Sequence, residues 1–161
     1  MEHVLVVAYG NPLRSDDGVA WEAAHELRRR LPSTARILCA HQLTPEMAED
    51  ISRADLVIFL DASTNGQPGT VRSAAVSVHG RGPYFPHHLA PQDLLALCDR
   101  LYSAKPRAFL ISVDGERFDH GQDLSASVRN AIPLVVERVS NLIEHESEMH
   151  PAFYKPLPRK D

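Results

Sequence analysis

The sequence predicts a single-domain α/β fold, a three-layer sandwich in which helices cover both faces of a twisted, mostly parallel β-sheet. Three observations carry this prediction. The 161 residues are the length of one ordinary domain. Strand-like and helix-like segments alternate along the chain. The strand-like segments are short, nearly continuous apolar runs, which are typical of strands covered on both faces.

The first strand, helix and second strand follow from the start of the chain. The apolar run His3–Tyr9 predicts a strand, and Gly10-Asn11-Pro12 ends it. A helix is expected next, with Ser15 as its N-cap and an end near Leu31, because apolar residues recur there every four positions. Arg36–Ala40 predicts the second strand.

The middle of the chain predicts a short helix, a buried strand and an edge strand. The helix is expected to start at Thr44-Pro45 and to run through Ser52, because proline is favoured at the first helical position. The run Leu56–Leu60 predicts the buried strand. Thr70–Val78 alternates only weakly, which favours an edge strand, and a loop is expected over Arg81–His88.

The remaining elements complete the sandwich. Pro91–Tyr102 predicts a helix, Ala108–Val113 a buried strand, and Asp114–Gln122 a polar loop. A last helix is expected from about Ser125 to Ile143, with a kink at Pro133 because proline removes one backbone hydrogen bond. These elements predict one α/β domain over residues 1–144 and a loosely ordered C-terminal tail over residues 145–161, which is rich in proline and has no periodicity.

Composition and charge exclude several classes of function. The net charge is −4 and the pI is near 6.1, which argues against a nucleic-acid partner. No apolar run reaches the ~18 residues of a membrane span, and no signal peptide is recognised ahead of the first strand. Cys39 and Cys98 form no CxxC pair, so two buried thiols in a reducing cytoplasm are expected. We expect a monomer with no membrane partner.

Acidic residues lie in the loop that follows the first strand. Ligands of parallel α/β folds bind at the carboxyl ends of the strands, and there the loop Gly10–Gly18 carries Asp16 and Asp17. The loop lacks the glycine pattern of a nucleotide-binding loop, and two carboxylates would repel a phosphate. The pair is suited either to a cation or to stabilising the N-terminus of the helix.

Two further strand ends carry candidate ligands. Asp61 directly follows a buried strand and therefore needs a partner, which is a cation, a metal or the hydrogen-bond donors of a turn. His87 and His88 are adjacent in a loop, so one of them is expected to face a given site. Two carboxylates and one imidazole would make an open site for a divalent transition metal.

Four segments resemble the hydrogenase maturation endopeptidases. The segment VLVVAYGNPLRSDDGVAWEAAHELRRR is similar to the N-terminal signature of that family, a strand followed by Gly-Asn, Leu, an acidic pair and Gly. VIFLDAS resembles its second acidic segment, PHHLAPQDLLAL its histidine before a helix, and GQDLSASVRNAIPLVVERV its final helix. Together they cover most of residues 3–143.

The resemblance implies a phosphorylase/hydrolase-like sandwich and a peptide hydrolase. Such an endopeptidase removes the C-terminal extension of a nickel-iron hydrogenase large-subunit precursor once nickel has been inserted. The metal and catalytic residues of the family fall on Asp17, Asp61 and His87, with Asp16 and His88 as alternatives. The implied cofactor is nickel carried by the substrate, and Cd or Zn is expected to occupy the site in vitro.

One stretch departs from many relatives. They carry Asp-Gly-Gly-Thr after the second strand, whereas this chain carries HQLTPE over residues 41–46. The stretch resembles a subset of the family with Gln-Leu-Thr-Pro-Glu, for which a different large-subunit partner is expected. His41 either approaches the site from the neighbouring strand end or is a core or rim histidine.

Two other functions remain open at this point. A metal-dependent phosphoesterase on a similar fold would place Mg²⁺ on Asp17 and Asp61 and would need a basic cluster near Gly10, where the sequence offers Arg14. A non-catalytic nickel carrier or assembly chaperone would use the nine histidines, which are scattered rather than clustered.

Overall fold

The computed structural model describes residues 3–78 and 88–151. Its sheet has five strands, which are β1 (Val4–Tyr9), β2 (Ala35–Ala40), β3 (Leu56–Ser63), β4 (Val71–Ala75) and β5 (Arg107–Asp114). Their order across the sheet is β2-β1-β3-β5-β4. Strands β2, β1, β3 and β5 are parallel, while β4 pairs antiparallel with β5 at one edge. The predicted α/β fold is confirmed.

Helices cover both faces of this sheet. After a 3-10 helix at Ser15–Gly18, the α-helices are α1 (Val19–Leu27), α2 (Met47–Ser52), α3 (Pro91–Tyr102) and α4 (Ala126–Met149). Helices α1 and α4 pack on one face, and α2 and α3 pack on the other. The helices bury their apolar sides against the sheet, and the two helical layers with the sheet between them form the predicted three-layer sandwich.

The continuous apolar runs follow from burial on both faces. Successive side chains of a strand point to opposite faces of the sheet. In β1, Val4, Val6 and Ala8 therefore pack toward α1 and α4, whereas Leu5 and Val7 pack toward α2 and α3. Strand β3 alternates in the same way, with the fully buried Phe59 on the α2 and α3 face.

The start of the first helix differs from the prediction. Ser15 is not an N-cap: it lies inside the 3-10 helix with a φ of 50°. Its hydroxyl donates to the Asp119 carbonyl at 2.9 Å, in a loop far along the chain. Helix α1 ends at Leu27, four residues before the predicted end at Leu31.

The last helix is longer than predicted. It continues past Ile143 to Met149, so the prediction of a loosely ordered tail was wrong for residues 145–149. Glu146 is only 3% exposed, and the Arg107 guanidinium Nε lies 2.5 Å from its carboxylate. This contact with β5 anchors the last turns of α4. The rest of the predicted tail, from residue 152 onward, lies outside the described residues.

The two cysteines are free thiols with different surroundings. Cys98 is buried, and its burial, together with the Asp99 charge, raises its pKa to about 11. Cys39 is only half-buried, against the prediction that both are buried. In the part of the chain that the structure describes, no helix has the length and apolar character needed to cross a membrane.

Candidate functional site

The candidate site lies where β1 and β3 end side by side. The two strands are parallel, and Ala8 is opposite Leu60 in their register. The next residues, Tyr9 and Asp61, are therefore neighbours. Because side chains alternate along a strand, both lie on the face that α2 and α3 cover.

Asp61 is half-buried within β3. Its Oδ1 accepts a hydrogen bond from the Ala62 amide at 2.8 Å, and Tyr9 is the neighbouring side chain on β1. Burial raises the pKa of Asp61 to about 6; the Tyr9 hydroxyl and the Ala62 amide lower it, and the Asp17 charge raises it. Desolvation by burial is the largest of these effects, so the carboxylate is poised to gain from a cation.

Tyr9 is a site residue that the sequence analysis missed. Burial raises the pKa of its hydroxyl far above the ordinary value of 10.0, and the nearby negative charge of Asp61 raises it further. The hydroxyl therefore stays protonated at neutral pH. Tyr9 is the last residue of an apolar run, so the sequence does not distinguish it from a core residue. The register of β1 against β3 places it beside Asp61.

Asp17 approaches the same edge from the 3-10 helix. It is half-buried, and its Oδ2 accepts a hydrogen bond from the Asn11 amide at 2.7 Å. Gly10 has a φ of +143°, and a Cβ there would lie 2.1 Å from the Asp17 carbonyl oxygen. Trp21 holds this turn from the other side, because its Nε1 donates to the Gly10 carbonyl at 2.9 Å.

The two carboxylates at this edge come from separate elements. The negative charge of Asp17 contributes to the raised pKa of Asp61, although less than burial does. Such a pair favours proton sharing or a bound cation, because either relieves the repulsion. Carboxylate oxygens with unused lone pairs are suitable ligands for a divalent metal.

Asp16, the alternative acidic ligand, has a different role. Its side chain is fully buried and accepts hydrogen bonds from the amides of Ser125 (2.7 Å), Glu116 (2.8 Å) and Arg117 (3.0 Å) and from the Ser125 hydroxyl (2.8 Å). Burial raises the pKa of Asp16, but these hydrogen bonds outweigh it and lower the pKa overall. The protein's own donors already occupy both of its oxygens.

Further contacts hold the Asp17 loop against the loop after β5. The Ser15 amide donates to the Gly121 carbonyl at 2.8 Å, and the Gly121 amide donates to the Leu13 carbonyl at 3.0 Å. The Arg14 Nε donates to the Phe118 carbonyl at 3.2 Å. Together with Asp16, these contacts fix the loop that carries Asp17.

The histidine predicted as third ligand, His87, lies outside the described residues. Its neighbour His88 is exposed and precedes α3. Helix α3 leads into the first residue of β5, so its own first turn lies toward the carboxyl edge of the sheet. Among residues 3–78 and 88–151, no three His, Cys, Asp or Glu side chains gather as a metal site.

His41 lies on the rim of the candidate site. It follows β2, is exposed, and meets the Trp21 ring edge-on, with ring centroids 5.7 Å apart and an interplanar angle of 78°. This arrangement is that of a rim histidine, which is one of the alternatives that the sequence leaves open for His41. Trp21 thus links the end of β2 to the Gly10 turn beside Asp17.

Solved structures with the same fold are known, although no protein-family model and no curated protein sequence matches the chain. The hydrogenase maturating endopeptidase HybD from E. coli superposes with a TM-score of 0.71 at 23% identity, over 89% of this chain and 93% of that one. A hydrogenase 2 maturation peptidase from Thaumarchaeota archaeon SCGC_AB-539-E09 gives 0.68 at 23% identity, over 88% and 97%. The NiFe hydrogenase maturation protease HybD from Thermococcus kodakarensis gives 0.68 at 20%, over 87% and 98%.

Proposed function

We propose that this protein is an endopeptidase that removes the C-terminal extension of a nickel-loaded hydrogenase large-subunit precursor. The observation that carries the proposal is the placement of Asp17 and Asp61 at the carboxyl edge of the sheet, the first in the 3-10 helix that follows β1 and the second near the end of the neighbouring strand β3. The resemblance of the segments around both residues to the maturation endopeptidases supports it. The shared fold of solved proteins named as hydrogenase maturation proteases supports it as well.

In this proposal nickel belongs to the substrate. The precursor holds the metal, and Asp17, Asp61 and His87 offer it two carboxylates and an imidazole. The metal orients the scissile peptide and lowers the pKa of a bound water. Water then adds to the scissile carbonyl carbon, the C–N bond breaks, and a proton passes to the leaving amine. A precursor without nickel offers the carboxylates no cation, so processing waits for metal insertion.

The peptidase is favoured over a phosphoesterase by the surroundings of the acidic pair. Phosphate binding beside Gly10 would need a basic cluster, and the loop Gly10–Gly18 carries a single basic residue, Arg14. We expect processing to take place in the cytoplasm, with the enzyme acting as a monomer.

Substitution of the three proposed ligands tests the function. We expect Asp17→Asn, Asp61→Asn and His87→Ala each to lower the cleavage rate of nickel-loaded precursor by at least about 100-fold, because each removes a ligand to the substrate metal. Asp123→Asn and His145→Ala are matched controls, since both residues are exposed and neither is a candidate ligand. Cleavage is measured from the mass of the precursor C-terminus.

Two outcomes of this assay would contradict the proposal. Full activity in all three ligand variants would exclude the proposed site. A precursor that forms a complex with the protein but keeps its full C-terminal mass would instead indicate an assembly chaperone. Nickel-free precursor serves as the second arm, and it should remain uncleaved by the wild-type protein.

A further inference from the structure

We propose that the outer edge of β4 binds the C-terminal extension of the precursor as an added strand. The inference rests on the proposed function, because it assigns the surface that holds the part of the substrate to be removed. It concerns an edge of the sheet that has no part in the three-ligand set.

The backbone of β4 alternates in direction. The strand is the last one on its side of the sheet. The Asp114 amide donates to the Thr70 carbonyl at 2.9 Å, and the Val76 amide donates to the Ala108 carbonyl at 2.9 Å. Both amide and carbonyl of a strand residue point the same way, and the direction alternates from one residue to the next. The even-numbered residues of β4 therefore face β5, and the odd-numbered residues face outward.

The outward backbone groups of β4 belong to Val71, Ser73 and Ala75. The Val71 carbonyl accepts a hydrogen bond from the Arg138 guanidinium at 2.9 Å, in agreement with its outward direction. Within the part of the chain that the structure describes, the amides and carbonyls of Ser73 and Ala75 have no hydrogen-bond partner. They offer the alternating donors and acceptors that an added strand requires.

The side chains of β4 leave this edge accessible. Exposed sheet edges are commonly protected by lysine, proline or an inward-pointing charge. The only charged side chain of β4 is Arg72, and its guanidinium is bound at 2.9 Å to the carboxylate of the buried Asp114. From Ser73 to Ala75 the side chains are small, uncharged and exposed. An extended peptide can therefore approach the backbone of β4.

The register of the sheet connects this edge to the candidate site. Asp61 of β3 is opposite Ser112 of β5, and Ser112 is opposite Arg72 of β4. Neighbouring strands lie about 4.8 Å apart, so a strand added outside β4 lies about 14 Å from β3. An extended chain covers this distance in about four residues. The extension can therefore leave the scissile bond beside Asp61 and reach the edge of β4 soon afterwards.

The direction of β4 suits a segment that follows the scissile bond. Because β4 is antiparallel to β5, it starts at the carboxyl edge, where the candidate site lies, and runs away from it. The extension runs the same way, as a strand parallel to β4. A second copy of this chain fits less well, because stable interfaces bury about 800 Å² per partner. A strand of five residues offers only about 17 Å of shared edge.

Amide hydrogen exchange tests the pairing on the wild-type protein. With a saturating amount of nickel-free precursor, which stays uncleaved, we expect exchange of the Ser73 and Ala75 amides to slow at least about 10-fold. The Ala74 amide faces β5 and is the internal control, so its exchange should not change. The same precursor without its extension should leave all three amides unchanged.

Ala75→Pro tests the same pairing by cleavage kinetics. Proline is accepted on an edge strand where its missing amide would face solvent. We expect KM for nickel-loaded precursor to rise about 10-fold with kcat unchanged, because the lost hydrogen bond lies away from the reacting bond. With an extension shortened to about four residues, Ala75→Pro and wild type should have the same KM.

Ser33→Pro is the matched control for this substitution. Ser33 is exposed in the turn before β2, where the Ala35 amide donates to the Pro32 carbonyl at 3.0 Å. Proline is favoured at the second position of such a turn. Ser33→Pro should therefore leave KM, kcat and the thermal midpoint at wild-type values.

Three outcomes would overturn the inference. The first is unchanged exchange of the Ser73 and Ala75 amides in the presence of precursor, which also decides the matter if Ala75→Pro does not fold. The second is equal slowing by the precursor without its extension, or an unchanged KM for Ala75→Pro. The third is a wild-type dimer that Ala75→Pro converts to a monomer, which would assign the edge to a second copy.

A parallel assay of Asp61→Asn separates this inference from the proposed function. If Asp61→Asn retains full cleavage, the proposed function itself fails. If it is inactive while Ala75→Pro keeps the wild-type KM, only the inference about β4 fails.

Discussion

Asp16→Ala is expected to destabilise the protein by about 3–5 kcal/mol. The fully buried carboxylate accepts three backbone amides and one hydroxyl from the loop that links β5 to α4. Alanine would leave the Ser125 amide and hydroxyl without this partner in the buried interior, and the Glu116 and Arg117 amides without it in a part-buried loop. Each unsatisfied buried donor costs about 1–3 kcal/mol, although such costs are not additive.

Chemical unfolding at neutral pH measures this loss. The matched control is Asp123→Ala, an exposed acid in the same loop, which should change the free energy of unfolding by less than about 0.5 kcal/mol. A loss below about 1 kcal/mol for Asp16→Ala would show that the hydrogen-bond network contributes little.

The difference in the free energy of unfolding between wild type and Asp16→Ala should depend on pH, because the pKa of Asp16 is lowered in the folded protein. A carboxyl group whose pKa is lower in the folded than in the unfolded protein stabilises the fold at pH values above its unfolded pKa. For Asp16 the ordinary value is 3.8, so the full difference between wild type and variant is expected above that pH. The difference should shrink as the pH falls through the folded pKa, and a constant difference would contradict this origin.

The fold could be predicted because its signals are local. The apolar runs of β1 and β3 and the turn residues at Gly10 each depend on neighbours within a few positions. Such local signals also predicted the weak edge strand that became β4. Element ends were less predictable where a distant contact sets them, as Arg107 does for the last turns of α4.

The site was only partly predictable for a related reason. The position of Asp61 directly after an apolar run marks it from sequence alone. The burial of Asp16 depends on Ser125 and Arg117, more than one hundred positions along the chain, so sequence spacing could not separate it from Asp17. Tyr9 reads as one more apolar residue until the register of β1 against β3 is known.

Gly10→Ala is expected to affect cleavage even more than stability. The φ of +143° is a backbone conformation that L side chains rarely adopt, and the new Cβ would lie 2.1 Å from the Asp17 carbonyl oxygen. The main chain at Asp17 must therefore move. Backbone strain of this kind costs about 1–3 kcal/mol, while a displacement of about 1 Å at a reacting group can cost 100-fold in rate.

The matched control for Gly10→Ala is Gly69→Ala. Gly69 also has a positive φ, +84°, and its Cβ would meet the Ser127 carbonyl oxygen at 2.8 Å, so the backbone strain is similar in kind. Gly69→Ala should lose stability but keep its cleavage rate per folded molecule, because its clash is with the start of α4 rather than with Asp17. Gly10→Ala should lose about 100-fold in that rate. Only Gly10→Ala places its strain at Asp17. Equal rates in the two variants would therefore show that the position of Asp17 does not control cleavage.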